Sequence, residues 1–111
     1  MNSNNHVIII IGPTASGKTN LGFNLAQQLN TEIINADSRQ VYCHMDIGTA
    51  KPSISMQKII PHHEIDIIEP NEEYNLAIFL KNCKQAITQI QKICKIPIVV
   101  GGTGQYISAL L

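Results

Sequence analysis

Five consecutive β-branched residues, Val7 to Ile11, run directly into Gly12-Pro13-Thr14-Ala15-Ser16-Gly17-Lys18-Thr19. An unbroken apolar run of this kind predicts a strand buried on both faces, as in a parallel sheet. From Lys18 the pattern turns helical, with Leu21, Leu25, Ala26 and Leu29 at i, i+4, i+5 and i+8 on one face. Strand, glycine-framed turn and helix, in that order, are the setting in which G-x-x-x-x-G-K-[ST] forms a phosphate-binding loop, or P-loop. Gly12 and Gly17 let the backbone wrap closely round an anion. Successive N–H groups and the helix N-terminus present positive dipole to it. Lys18 reaches the terminal phosphates, and the Thr19 hydroxyl is a ligand for Mg²⁺, a cation that takes oxygen ligands beside bound phosphate. The chain is therefore expected to hold a di- or triphosphate across Gly12 to Thr19.

The remaining pattern alternates strands and helices. Glu32 to Ala36 reads as a second strand ending at Asp37, and Glu64 to Ile68 as a third. Asn75 to Ile93 is predicted helical, with Leu76, Phe79, Leu80, Cys83, Ile87, Ile90 and Cys94 on one face. Ile98 to Val100 is another buried strand, leading into Gly101-Gly102-Thr103-Gly104, and a further helix is expected from about Gln105. The stretch from Cys43 to Pro61 reads as irregular. With 111 residues this is one domain, and the alternation predicts an α/β fold with a P-loop NTPase-like parallel sheet flanked by helices, incomplete because the chain stops inside an apolar helical pattern.

Asp37 follows the second predicted strand directly. Carboxyl ends of parallel strands gather ligands in open α/β sheets, and a carboxylate there suits a general base taking a proton from an attacking amine or hydroxyl. Asp37-Ser38 is equally good helix-capping chemistry. No Walker-B Asp follows Ile98 to Val100; small residues stand there instead, which fits a transferase that uses the loop for a leaving pyrophosphate or a donor nucleotide better than a hydrolytic motor. Lys51 is a candidate phosphate contact, with a solvated lysine as the default. His62 and His63 are read as structural rather than metal-binding, because neighbours on a strand point apart.

Charge and cysteine content narrow the classes. Eight basic residues balance eight acidic ones, so a dedicated nucleic-acid-binding domain is not indicated, and contacts to an RNA backbone would come mostly from elsewhere. Cys43, Cys83 and Cys94 form an odd set without CxxC spacing, which points to reduced thiols; Cys83 and Cys94 are expected on the buried face of their helix. The polar start lacks a basic leader, and Val7 to Ile11 is too short to span a membrane. A soluble, cytoplasmic, monomeric protein without membrane contact is expected.

The segments GPTASGKT (Gly12 to Thr19), DSRQVY (Asp37 to Tyr42), DIGTAKP (Asp46 to Pro52), PHH (Pro61 to His63) and GGTGQY (Gly101 to Tyr106) occur in this order. The chain thereby resembles the tRNA dimethylallyltransferase (tRNA isopentenyltransferase) family over nearly its whole length, from about Val7. The P-loop is common to many nucleotide-binding proteins; the other segments in this order are specific. The resemblance implies transfer of a dimethylallyl group from dimethylallyl diphosphate to N6 of the tRNA adenosine just 3′ of the anticodon, assisted by Mg²⁺. It implies that the P-loop residues bind the prenyl diphosphate and that Asp37 is the base on the adenine amino group. Asp37, Ser38, Arg39 and Gln40 would contact the target adenosine and its neighbours in the anticodon stem-loop, and Thr103 would lie beside the tRNA as a further catalytic residue. Ile78 departs from the pattern, standing where the family carries an acidic residue. Family members are also much longer, so residues 1–111 are expected to be the N-terminal portion of the catalytic core, without the helical tRNA-binding insertion and unable to transfer the prenyl group alone. Three alternatives remain: an adenylate isopentenyltransferase, a P-loop small-molecule kinase, and a nucleotide-binding remnant without activity. DIGTAKP and PHH favour the tRNA enzyme, and GGTGQY and DSRQVY are not expected in a kinase.

Overall fold

The computed structural model describes residues 6–12, 17–36, 52–65 and 75–101. Among the described residues, four strands, β1 (Ile8–Ile11), β2 (Ile33–Ala36), β3 (His62–His63) and β4 (Ile98–Gly101), alternate with helices α1 (Lys18–Leu29), α2 (Ile54–Ile59) and α3 (Leu76–Lys92). The strands form one sheet in the order β1-β4-β2-β3, and every pairing is parallel. The α/β class with a parallel sheet is as the sequence predicts.

The route from β1 through α1 to β2 crosses the sheet in one direction, and that from β3 through α3 to β4 returns. A common hand for parallel crossovers then puts the two helices on opposite faces. The strands follow suit, since alternate residues point to opposite sides. Ile33, Ile98 and Val100 pack with Ala26 of α1 and with Ile60. Ile34, Ala36 and Val99 pack with Phe79, Cys83, Ala86 and Ile90 of α3. Thr31 joins the segments that enter β2 and β4, its hydroxyl donating to the Ile96 carbonyl at 2.7 Å.

Several boundaries differ from the sequence reading. β1 is only half-buried and Ile11 is 56% exposed, because β1 is the outermost described strand and pairs on one side only. The buried face of α1 is centred on Gly22 and Ala26, while Leu21 and Leu29 are exposed. Gly22 explains the rotation. A Cβ there would stand 2.9 Å from Val100 Cγ2, so the helix lies too close to β4 for a large side chain at its centre. Within the stretch read as irregular, Ser53 caps α2 by accepting from the Met56 N–H. The third strand is His62–His63, two residues before the expected start; Glu64 takes a φ of 67°, which ends pairing, and residues 66–68 lie outside the described part.

The α3 boundaries follow the prediction to within a residue. The Asn75 side chain accepts from the Ile78 N–H at 3.0 Å, satisfying one of the orphan donors of the first turn. At the other end Cys94 has a φ of 61°, while its N–H bonds the Gln91 carbonyl and the Lys95 N–H that of Ile90, which is a Schellman stop. Cys83 is fully buried, as expected, but Cys94 is exposed: the helix has ended before it and the left-handed residue turns its side chain outward. Cys43, Lys51 and the helix expected near Gln105 fall outside the described residues.

Candidate functional site

The parallel register aligns the carboxyl ends of three strands. Ile11 pairs with Gly101, and Gly101 pairs with Ala36 on its other side. The chain therefore leaves β1 into Gly12, β2 into Asp37 and β4 into Gly102 from one level of the sheet. The Gly12 N–H donates to the Gly101 carbonyl at 3.2 Å, tying the start of the P-loop to the end of β4. Four residues of the predicted phosphate loop lie in the described part. Gly12 closes β1, and Gly17, Lys18 and Thr19 open α1. Pro13, Thr14, Ala15 and Ser16, with Asp37, Ser38, Arg39, Gln40 and Thr103, fall outside it.

Gly17 stands at the N-cap of α1 with a φ of 79°. A Cβ there would meet nothing within 4 Å, so the demand for glycine comes from the left-handed backbone rather than from crowding. No side chain caps this helix and its first turn holds no acidic residue, whereas α2 and α3 are capped by Ser53 and Asn75. Uncapped N–H groups and the positive end of the helix dipole are what an incoming phosphate needs.

Beneath this end of α1 lies a cavity of about 10 Å³ lined by Thr19, Ile33, Asn35, Pro52, His62, Ile65 and Val100. Asn35, 6% exposed, interrupts the apolar β2 on the α1 side and donates from Nδ2 to the Glu64 carbonyl at 3.4 Å. Glu64 is itself buried and accepts at Oε1 from Asn82 Nδ2 at 3.4 Å, so a side chain of α3 braces the left-handed residue whose carbonyl holds Asn35. His62 pairs with Ile33 and so shares its face. Its Nδ1 donates to the Ile60 carbonyl at 2.7 Å. Burial holds the imidazole below its ordinary value of 6.5; the Ile60 bond opposes this and His63 adds to it. His63 points to the other side and donates from Nε2 to Glu32 at 2.7 Å. Both histidines thus have structural partners, but His62 also reaches the cavity under Thr19, which spacing alone did not reveal. The available signal was Asn35, a polar residue breaking an apolar strand two places before Asp37.

Among the described residues, no group of three or more His, Cys, Asp or Glu side chains is placed to hold a metal ion, and no helix is long and apolar enough to cross a membrane.

Comparison with known proteins narrows what this arrangement belongs to. Residues 40–111 match the family model described as IPP transferase, and residues 5–60 the one described as isopentenyl transferase. A tRNA dimethylallyltransferase of Herpetosiphon aurantiacus is 54% identical over 105 residues, which cover 95% of this chain and 33% of that protein. The Alkaliphilus oremlandii protein of the same name is 53% identical, covering 95% and 34%. Among solved structures, the tRNA isopentenylpyrophosphate transferase of Staphylococcus epidermidis superposes with a TM-score of 0.91 at 47% identity, over 96% of this chain and 35% of that one. A eukaryotic dimethylallyltransferase solved acting on tRNA gives a TM-score of 0.89 at 44% identity, over 95% and 26%. The chain spans about a third of the length of the curated relatives it matches.

Proposed function

This chain belongs to the IPP transferase family, and on that premise we propose that it supplies the phosphate-binding part of a cytoplasmic enzyme that moves a dimethylallyl group from dimethylallyl diphosphate to N6 of the tRNA adenosine 3′-adjacent to the anticodon. The observation that carries the reading is the shared level of Ile11, Gly101 and Ala36. That register supports the reading, because the segments carrying the phosphate-loop motif, Asp37 and Gly102-Thr103-Gly104 each follow directly on one of these three aligned strand ends.

In this reading the N–H groups of Gly12 to Thr19 and the N-terminus of α1 hold the diphosphate, and Lys18 balances its charge as it leaves. The adenine N6 lone pair forms a bond to C1 of the prenyl group while the C1–O bond to diphosphate breaks. Asp37 takes the N6 proton as general base. Ser38, Arg39, Gln40 and Thr103 hold the adenosine and its neighbours in the anticodon stem-loop. Thr19 fits Mg²⁺: it brings a hard oxygen to the first turn of α1, beside a largely apolar cavity that Asn35 and His62 also line. Bound there, Mg²⁺ would neutralise charge on the diphosphate. Residues 1–111 act as the N-terminal portion of the catalytic core of a monomer.

Ligand choice tests the reading. The chain should bind dimethylallyl diphosphate with Mg²⁺ at least as tightly as ATP in calorimetric titration. A clear preference for ATP would favour a small-molecule kinase instead.

A further inference from the structure

The polar side chains of the cavity beneath α1 come from three separate segments. Thr19 comes from the first turn of α1, Asn35 from β2 and His62 from β3, with Pro52, Ile33, Ile65 and Val100 closing the apolar sides. Its volume of about 10 Å³ is roughly the space one water requires, and buried waters typically make about three hydrogen bonds to polar groups. Among the described residues, three polar ones line this cavity. Because a carbonyl can only accept, the Ile60 bond fixes the proton on His62 Nδ1 and leaves Nε2 as an acceptor in the neutral ring. Among the described residues Nε2 has no hydrogen-bond partner.

We propose that Asn35 and His62 are positioning residues of the phosphate site, which together with Thr19 hold a single water under the first turn of α1 and thereby orient the Thr19 hydroxyl toward the metal ion. Asn35 is itself held through Glu64 and Asn82, so the chain of contacts runs from α3 to the phosphate loop. The inference rests on the phosphate-site reading above but not on the identity of the group that the phosphate carries.

The test uses inorganic pyrophosphate, common to prenyl and nucleotide donors, titrated into the chain with Mg²⁺ and with EDTA. The measured quantity is the ratio of the two affinities. His62→Asn keeps a donor for the Ile60 carbonyl and removes the nitrogen facing the cavity; His62→Gln places an amide at the cavity end and gives up the Ile60 bond. The expected result is a fall of about tenfold in the magnesium effect for His62→Asn, the lower end of what outer partners of metal ligands contribute, with the thermal midpoint unchanged. His62→Gln should retain the magnesium effect and melt lower. The reverse pattern, or equal magnesium effects in both variants and the parent, would show His62 to be purely structural and overturn the proposal. So would a parent chain that binds no pyrophosphate. A preference for ATP over dimethylallyl diphosphate would overturn the prenyl-transfer reading and leave this one standing.

Discussion

Gly22 and Val100 meet so closely that a Cβ on the glycine would lie 2.9 Å from Val100 Cγ2. Val100 is 6% exposed and stiff at χ1, so it cannot swing aside. Alanine at Gly22 would gain about 1 kcal/mol of helix propensity but incur an overpacking cost of about 1–3 kcal/mol. Gly22→Ala should therefore destabilise the chain by about 1 kcal/mol net, read from urea denaturation. Adding Val100→Ala should make the glycine substitution nearly neutral or favourable, a coupling visible in a double-mutant cycle. The displaced helix should also weaken pyrophosphate binding, since Lys18 and Thr19 ride on it.

The first turn of α3 has its own measurable balance. Asn75→Ala should cost about 1 kcal/mol, the usual loss for an N-cap, and Asn75→Asp should cost little. Ile78, 36% exposed in a first turn without acidic residues, should accept aspartate with a gain of about 0.5 kcal/mol from the helix dipole. Thermal melts of the three variants would check the order.

The two described cysteines should differ in reactivity. Burial, with a smaller contribution from Glu64, pushes the Cys83 thiol up to about 12, while Cys94 is exposed. In a Cys43→Ser background, iodoacetamide at pH 8 should modify Cys94 rapidly and Cys83 only after denaturation, as mass spectrometry would show. The sign of the linkage follows. The folded thiol holds its proton to higher pH than the unfolded one, so this contribution to stability is full below about pH 9. It is lost as pH rises from there towards 12. Cys83→Ala should flatten that alkaline decline.

Asp37 directly follows Ala36, whose backbone is paired to Gly101 at the edge where the phosphate loop begins. If it is the base, Asp37→Ala in the whole protein should lower kcat for prenyl transfer to an anticodon stem-loop by about 10²–10⁴-fold. The affinity for dimethylallyl diphosphate should stay within about twofold, since a general base contributes to the chemical step rather than to uniform binding of the donor. Loss of diphosphate binding with kcat intact would assign Asp37 to the donor site.

The strand–loop–helix unit, the long α3 and the parallel sheet were legible because local rules decide them. β-branched runs favour strands, a 3.6-residue repeat builds one apolar face, and Gly17 meets a left-handed backbone that other residues resist. The order of the motifs likewise pointed to the family that the comparisons show, without reference to packing. What only the tertiary structure decided was position across the sheet. A run of isoleucines does not state whether its strand lies inside or outermost, and Ile11 is exposed because β4 pairs with β1 on one side alone. Periodicity placed Leu21 and Leu29 inward, but the close approach of Gly22 to Val100 rotated α1 and turned them out. His62 and Asn35 are 27 positions apart along the chain, and pairing between β2 and β3 alone brings both to the cavity under Thr19. Local sequence sets which elements form and which chemistry they carry; contacts between distant segments set which faces meet, and they form only when the sheet closes.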